Sequence, residues 1–439
     1  MDVLSFRTPG LGDQTYLLTH EGRGVLVDPQ RDIGRFLDAA AERDVDLRLV
    51  LETHLHNDYL SGAGEAARRT GAELVMPAGA APAYAHTPAF HLEDLDAGGG
   101  LTVRPVHTPG HTPEHTSYVV LLDGEPVAVF SGGSLLVATA GRTDLLGPER
   151  ARSLARLQHA SLRRLAALPP GTALYPTHGQ GSFCTVSGAG RHTSTIGTEL
   201  EDNPLLAVDD PEKFADALLA APMPIPAFYR HMSPVNLLGV PPMPPVRVPE
   251  LDRPAGHVVD VRPRDVQARG MLPGSYGIEL DDDFGVWAGW LLPYGEAVTL
   301  VAEPGQDVTE AVVQLARVGF DDVRGVVRPP GAAGAQAYEL ARLPAFAARL
   351  RQPGAQLLDV RTAPERERVR IEGAVERFLP ELFSGGVPDE LDPDRPVLVA
   401  CAGGRRAAIA AAELARRDRR AVALTGAGIA ELAETLDAP

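Results

Sequence analysis

The amino-acid sequence predicts a multidomain α/β protein: a layered α/β sandwich followed by two smaller α/β domains. Residues 1–200 alternate short apolar runs with turns and amphipathic stretches. Residues 221–250 are proline-dense and cannot form one regular element. The remainder carries an internal repeat. The expected divisions are 1–203 for the sandwich, 204–249 for a Pro-rich linker packed along a domain surface, and 250–335 and 345–439 for the paired domains.

In chain order, GVLVDP (24–29) and LRLVLETH (47–54) read as buried strands, and IGRFLDAAAERD (33–44) between them reads as an amphipathic helix. LTVRPVHTPGHT (101–112), TSYVVLL (116–122) and PVAVFSGG (126–133) are further strands. ARSLARLQHASLRRLAAL (151–168) predicts a helix stopped by Pro169, Pro170 and Gly171. TALYPTHG (172–179) is a strand that ends on a histidine. In the repeat, HVVDVRPRDVQARGMLPGSYGIEL (257–280) parallels QLLDVRTAPERERVRIEGAVERFL (356–379). AVTLVAEPGQDVTEAVVQLARVGF (297–320) likewise parallels PVLVACAGGRRAAIAAAELARRDR (396–419). Each half is an apolar strand ending in DVR, then a strand, a turn and a helix. Trp287 and Trp290 are expected as core or interface anchors.

At 439 residues and 44% hydrophobic, the chain can build more than one core. No apolar run reaches about 18 residues, so no membrane span is expected. The opening MDVLSFRTPGLGDQ lacks a basic region followed by a long apolar one, so no secretory signal is expected. The two cysteines, Cys184 and Cys401, lie in unlike contexts; a disulfide framework is not expected, and a reducing cytoplasm fits. A net charge of −17 argues against nucleic acid as a partner.

The chemistry concentrates first in histidines. His54 and His56 follow a strand, where positions two apart share a face, and Asp58 continues that face. His111 lies in HTPGHTPEH, just past another strand, where Gly110 permits a tight turn; His178 ends LYPTH. Strands that each deliver a histidine at their C-terminal ends gather them at one edge of a layered fold. One such histidine is ordinarily a strand-end group bonded to backbone. His54, His56, Asp58, His111 and His178 together point to a metal, and imidazole with carboxylate suits zinc or non-haem iron. His115 reads either as a group supporting the ligands or facing substrate, or as a surface histidine; His107 and His192 carry weaker cases.

THLHNDY (53–59), TPGHT (108–112) and YPTHG (175–179) resemble the metallo-β-lactamase superfamily over most of residues 1–200. The resemblance implies an αββα sandwich with its metals at one sheet edge. Within that superfamily, GRTDL (141–145) and PTHGQGSFC (176–184) look most like the persulfide dioxygenases. This implies one iron held by two histidines, here His54 and His111, and one aspartate. The sequence departs from the family pattern at Tyr59, where a second-site histidine is usual, and at Gly133, where the aspartate is usual. Three outcomes stay open: a three-histidine site of His54, His56 and His111 suited to zinc, a carboxylate supplied by Asp58 or Asp144, or a metal-free pocket that holds a sulfur substrate. Cys184 reads either as facing that pocket to accept or hand on a persulfide, or as a buried inert thiol.

The second concentration is VLVACAGGRRA (397–407), in which a strand ends at Cys401 and a glycine-rich turn leads into an alanine-rich helix. Backbone N–H groups of such a turn wrap the sulfur, and the helix N-terminus with Arg405 and Arg406 adds positive potential that favours a thiolate or bound persulfide. The C-x-x-G-x-R spacing, with LLDVR upstream, resembles the rhodanese family over 350–439. The resemblance implies that Cys401 carries sulfur, that Gly403, Gly404 and Arg405 cradle it, and that Arg406 takes part in catalysis. In the first repeat Glu303 is read at the Cys401 position, so 250–335 is expected to be an inactive rhodanese-like domain.

The domain order is similar to bacterial persulfide dioxygenase–sulfurtransferase fusions. It implies one iron (or zinc) ion, a low-molecular-weight thiol persulfide with thiosulfate or sulfite as small-molecule partners, and a homo-oligomer. A zinc-dependent thioester hydrolase of glyoxalase II type, and a metal-free persulfide-binding domain serving the rhodanese, are the competing readings.

Overall fold

Strand Asp46–Leu51 is buried on both faces over its last three residues because consecutive side chains enter two different cores. Leu49 and Leu51 pack between two sheets, while Val50 packs under helices. The first sheet has the order Asp2–Thr8, Asp13–His20, Arg23–Val27, Asp46–Leu51, Glu73–Pro77, Thr87–Ala89. The second runs Ser194–Thr195, Ala173–Pro176, Glu125–Gly132, Thr116–Leu122, Leu101–His107, Leu95–Gly98. Tyr16, Leu18 and Val75 of the first sheet meet Val103, Tyr118, Val120 and Phe130 of the second. Helices Gly34–Ala41 and Ala63–Thr70 cover the outer face of the first sheet through Phe36 and Ala66. Helices Pro148–Ala166 and Pro211–Leu219 cover the second through Leu162, Leu165 and Phe214. The result is the expected αββα layering.

This computed structural model describes residues 1–179, 181–184, 190–220, 223–329 and 336–437. The chain divides into two compact units, Met1–Pro244 with Ala316–Gly319, and Pro245–Leu315 with Phe320–Pro439. The first unit thus takes in most of the stretch read as a linker. That stretch carries helices Pro211–Leu219 and Tyr229–Leu238, the second despite Pro234 in its interior. Burial of Tyr229 and Met232 holds the second helix within a proline-dense stretch that, as expected, does not form one regular element. Among the described residues no helix is long and apolar enough to cross a membrane.

The second unit contains two parallel sheets. One has the order Tyr276–Gly277, His257–Asp260, Val298–Val301, Val323–Val327. The other has the order Glu339–Arg342, Ala421–Thr425, Val397–Ala400, Gln356–Asp359, Val375–Glu376. The repeat is visible down to single hydrogen bonds. Arg262 pairs with Asp260 and donates to the Gly270 carbonyl at 2.9 Å. Arg361 pairs with Asp359 and donates to the Val369 carbonyl at 2.6 Å. The register corrects one alignment. Asp260 lies opposite Val301 as Asp359 lies opposite Ala400, so Ala302 rather than Glu303 occupies the Cys401 position. Alanine, like glutamate, has no thiol to carry sulfur. Trp287 and Trp290 are buried in helix Phe284–Leu291, and Trp290 meets Phe378 of the second repeat edge-on at 5.6 Å.

Candidate metal centre and cysteine loop

The strands of the first unit end together at one edge, and cross-links between the sheets fix that edge. Thr116 N–H donates to the Thr53 carbonyl (2.8 Å), Gln14 N–H to the Thr177 carbonyl (2.8 Å), and the Tyr118 hydroxyl to the Glu52 carbonyl (2.9 Å). His54, His111 and His178 converge there, each fully buried or nearly so.

The hydrogen bonds of the outer ring nitrogens set the tautomers. Thr53 Oγ1 donates to Asp28 Oδ2 (2.8 Å), so its 2.9 Å contact with His54 requires Nδ1 of that ring to be the donor. His111 Nδ1 donates to the Arg142 carbonyl at 2.7 Å. His178 Nδ1 lies 2.8 Å from Asp13 Oδ1 and 3.3 Å from Asp58 Oδ2. The Nε2 atoms of His54 and His111 therefore carry lone pairs, and that of His178 does so when its Nδ1 holds the ring proton. Those of His54 and His178 are 3.3 Å apart, that of His111 has no hydrogen-bond partner, and the three ligand atoms lie within 4.8 Å of one another. Burial, reinforced by the neighbouring histidines, pushes His54 and His111 well below the ordinary imidazole range, and burial lowers His178 too. Three neutral imidazoles aiming lone pairs at one point, with outer nitrogens tied to protein oxygens, is the donor arrangement that fits a metal cation.

This triad differs from the three-histidine set read in the sequence, because His178 takes the place of His56. The His56 Nε2 lies 3.2 Å from both Asp28 Oδ1 and Glu52 Oε2. Burial works against its charge, yet the two carboxylates raise His56 well above the ordinary imidazole range. Burial also pushes Asp28 upward, but His56, Thr177 and the Thr53 hydrogen bond hold it below the ordinary carboxylate range. His56 is thus drawn into an ion pair and away from His111. It still groups with Asp58 and His178 in a second cluster of potential ligands, its Nδ1 standing 3.9 Å from Asp58 Oδ1. Asp58 and Asp13, in contact and both buried, are pushed up to about 7 and about 8, burial being the main cause. Tyr59 stacks on His56 with ring centres 4.3 Å apart and donates its hydroxyl to the Asp28 carbonyl at 3.2 Å.

Gly133 is explained by packing. A Cβ built there would lie 2.7 Å from Cγ and 2.8 Å from Nε2 of His111, with Cδ2 closer still. The His111 ring therefore fills the space that an aspartate at this position would need. Asp144 is not a substitute ligand, since both its oxygens are paired with Arg142 at 2.6 and 2.8 Å. It acts one step back, holding the residue whose carbonyl orients His111. His115 is likewise committed to structure: it accepts from Gly133 N–H at 2.9 Å through Nε2 and contacts Thr108 Oγ1 at 2.9 Å through Nδ1.

Cys184 Sγ lies 3.5 Å from Asp58 Oδ2 and 3.6 Å from the Tyr229 hydroxyl, and burial pushes its thiol well above the ordinary range. Tyr229, with Asn57, Leu145, Ile225 and Arg230, lines a cavity of about 240 Å3 beside this cluster. The Asn236 side-chain amide donates to the carbonyls of His56 and Tyr59 at 2.8 and 2.9 Å and accepts from Ser61 N–H at 2.9 Å. Sequence reading missed Asp13, Asp28, Tyr229 and Asn236. The only local signal was the polar residue closing the strand in GVLVDP.

In the second unit, Cys401 is buried at the end of strand Val397–Ala400, and Gly404 N–H donates to its sulfur at 3.1 Å. Gly404 has φ +90°, the left-handed conformation that glycine takes without strain, and helix Arg405–Arg416 starts immediately after it. Arg406 is held by Glu365 in a two-point pair at 2.7 and 2.5 Å, and Glu365 also accepts from Thr362 N–H and Oγ1. The Arg405 side chain, read as adding positive charge to this loop, is matched by carboxylates. Its guanidinium pairs with Asp281 (2.6 Å) and Asp283 of the first repeat.

A four-layer αββα fold with a histidine cluster at its sheet edge defines a metallo-hydrolase-type domain, and a cysteine loop between a parallel strand and a helix fits a rhodanese-like one. The family model of the metallo-beta-lactamase superfamily matches residues 9–178, and that of the rhodanese-like domain matches residues 343–434. A probable metallo-hydrolase from Burkholderia pseudomallei is 33% identical over 46% of this chain and 80% of its own length. The chain therefore belongs to the metallo-beta-lactamase superfamily and carries a C-terminal rhodanese-like domain. A hydroxyacylglutathione hydrolase from Methylobacillus flagellatus is 32% identical over 37% of this chain, which spans 60% of that relative. The crystal structure of a metallo-beta-lactamase from Staphylococcus aureus, 26% identical, superposes with a TM-score of 0.69 over 75% of this chain and 99% of its own.

Proposed function

We propose that this protein is a sulfur-handling enzyme with two centres: a metal site in the first unit acting on a low-molecular-weight thiol persulfide, and a sulfurtransferase built on Cys401 in the second. The observation that carries the reading is the Cys401 loop, where a buried sulfur receives a backbone N–H at a helix N-terminus. In the transfer, the Cys401 thiolate attacks the outer sulfur of a donor such as thiosulfate. The donor S–S bond breaks, sulfite leaves with the electron pair, and Cys401 holds a persulfide for a thiol or cyanide acceptor. In the first unit His54, His111 and His178 would hold one ion, iron supplying oxygen activation or zinc a Lewis acid. Thr53, the Arg142 carbonyl and Asp13 orient the three rings, and Arg230 offers the adjoining cavity a cation for an anionic substrate. Joining the centres on one chain raises the local concentration of a reactive sulfur intermediate.

A second reading has its own observation. Three imidazoles without a carboxylate match the ligand set of hydrolytic zinc sites, and the relatives include proteins named hydroxyacylglutathione hydrolase. That reading makes the first unit a thioester hydrolase. Elemental analysis of the purified protein, paired with oxygen uptake on glutathione persulfide and a thioester-cleavage assay, decides between them. Iron with oxygen uptake supports the first; zinc with thioester cleavage supports the second. A protein that binds neither metal after reconstitution, with neither activity, refutes both and leaves a persulfide-binding domain. Cys401→Ser is expected to abolish thiosulfate-to-cyanide transfer, and unchanged transfer removes Cys401 as carrier.

A further inference from the structure

Sulfurtransfer from thiosulfate brings a dianion to the Cys401 loop, and the loop's own cations are the two adjacent arginines. Both are already matched. Arg406 is paired at two points with Glu365, and Arg405 with Asp281 and Asp283. Three carboxylates thus face two guanidinium groups, a formal excess of one negative charge.

The pair on Arg405 is built into the fold. Asp281 and Asp283 lie on the turn before helix Phe284–Leu291, where Asp283 N–H donates to Asp281 Oδ1 at 2.9 Å. Gln314 Nε2 donates to the Asp281 carbonyl at 3.0 Å, and buried Trp287 anchors the helix that follows. Asp281, Glu279 and Arg264 line a cleft that also includes Arg405, and Arg264 is paired with Glu279 at 2.5 Å, leaving the cleft no surplus cation. A repeat that has Ala302 where its partner has Cys401 therefore contributes charge to the loop of the other repeat.

We infer that Asp281 and Asp283 are specificity-determining residues of the Cys401 centre: by neutralising Arg405 they disfavour dianionic donors and favour sulfane-sulfur donors of lower charge. The inference rests on the sulfurtransferase reading above. Its physical basis is that charge opposed to a ligand at a site entrance discriminates between ligands more than it strengthens any of them. It also states what the first repeat does for catalysis without a cysteine of its own.

The test compares thiosulfate, a dianion, with an arylthiosulfonate, a monoanion that gives up its outer sulfur to Cys401 in the same way and releases a sulfinate. Cyanide is the acceptor and the full chain is used. In the Asp281→Asn, Asp283→Asn double variant, kcat/KM for thiosulfate should rise on the order of five- to tenfold, and clearly more than for the thiosulfonate. In the unaltered protein kcat/KM for thiosulfate should rise with ionic strength, as screening relieves repulsion; this arm needs no variant to fold. A thiosulfate rate that falls with salt, an unchanged donor ratio, or equal loss with both donors would make the aspartates a structural strut and overturn the inference. No transfer from either donor to the unaltered protein would overturn the sulfurtransferase reading along with it.

Discussion

Replacing Gly133 by alanine tests whether His111 holds the position seen here. The added Cβ would lie 2.7 Å from His111 Cγ and 2.8 Å from Nε2, roughly 1 Å short of ordinary contact. The ring cannot retreat freely, because its Nδ1 is held to the Arg142 carbonyl at 2.7 Å and Arg142 is held by Asp144. Overpacking of this kind costs about 1–3 kcal/mol, and losing the buried hydrogen bond adds about 1 kcal/mol. The sum, about 2–4 kcal/mol, should lower the melting temperature of the first unit by roughly 4–16 °C. Melting the full chain in excess chelator isolates this packing effect from any effect of metal. Elemental analysis of the same variant should show a reduced metal load, since Nε2 of His111 moves with its ring. If Gly133→Ala melts like the unaltered protein and binds the same metal, His111 does not fill this space and the three-histidine centre is wrong. The reasoning also predicts that Gly133→Asp fails to restore a two-histidine-one-carboxylate site, because its carboxylate would have to enter the volume of the ring.

The remaining predictions concern supporting groups. Asp13→Asn should weaken metal binding about 10- to 100-fold by loosening His178, measured by competition with a chelator; unchanged affinity would show that His178 is not a ligand. Asn236→Ala should lower the stability of the first unit by about 1–3 kcal/mol by leaving the His56 and Tyr59 carbonyls without their donor, read from urea denaturation; no change would mean that helix Tyr229–Leu238 does not hold the 56–61 loop. Glu365 is held at about 2, because Arg406 and the Thr362 hydrogen bonds outweigh its burial. A folded-state value below the unfolded one adds stability that is full above about pH 4.5 and fades as pH falls toward 2. Allowing for partial exposure, this amounts to on the order of 2 kcal/mol, so Glu365→Gln should flatten the acid limb of the second unit's stability profile. A variant whose acid limb matches that of the unaltered protein would contradict the pairing.

Several features were legible in the sequence for a local reason. A strand that ends in a histidine, or in a cysteine followed by glycines, announces itself within a few residues, and the layered fold brings strand ends to one edge. The repeat was legible because DVR recurs, although its register at position 401 was misread by one residue until the strand pairing fixed it. Proline density in 221–250 left helix Tyr229–Leu238 unread, because proline count reports backbone restriction while the buried side chains of Tyr229 and Met232 report packing.

The sequence by itself determined the layering of the first unit, the histidines at its edge and the cysteine loop. Only the tertiary structure decided which groups face one another. His178 turns Nε2 toward His54 because Asp13, 165 residues earlier, takes its other nitrogen. His56 turns away because Asp28 and Glu52 take it. Position 133 accommodates no aspartate because the ring of His111 occupies the space. Arg405 is matched because carboxylates of the other repeat, Asp281 and Asp283, pair with it. In each case contacts fixed by the fold, most of them with partners distant in sequence, decide what a site residue faces.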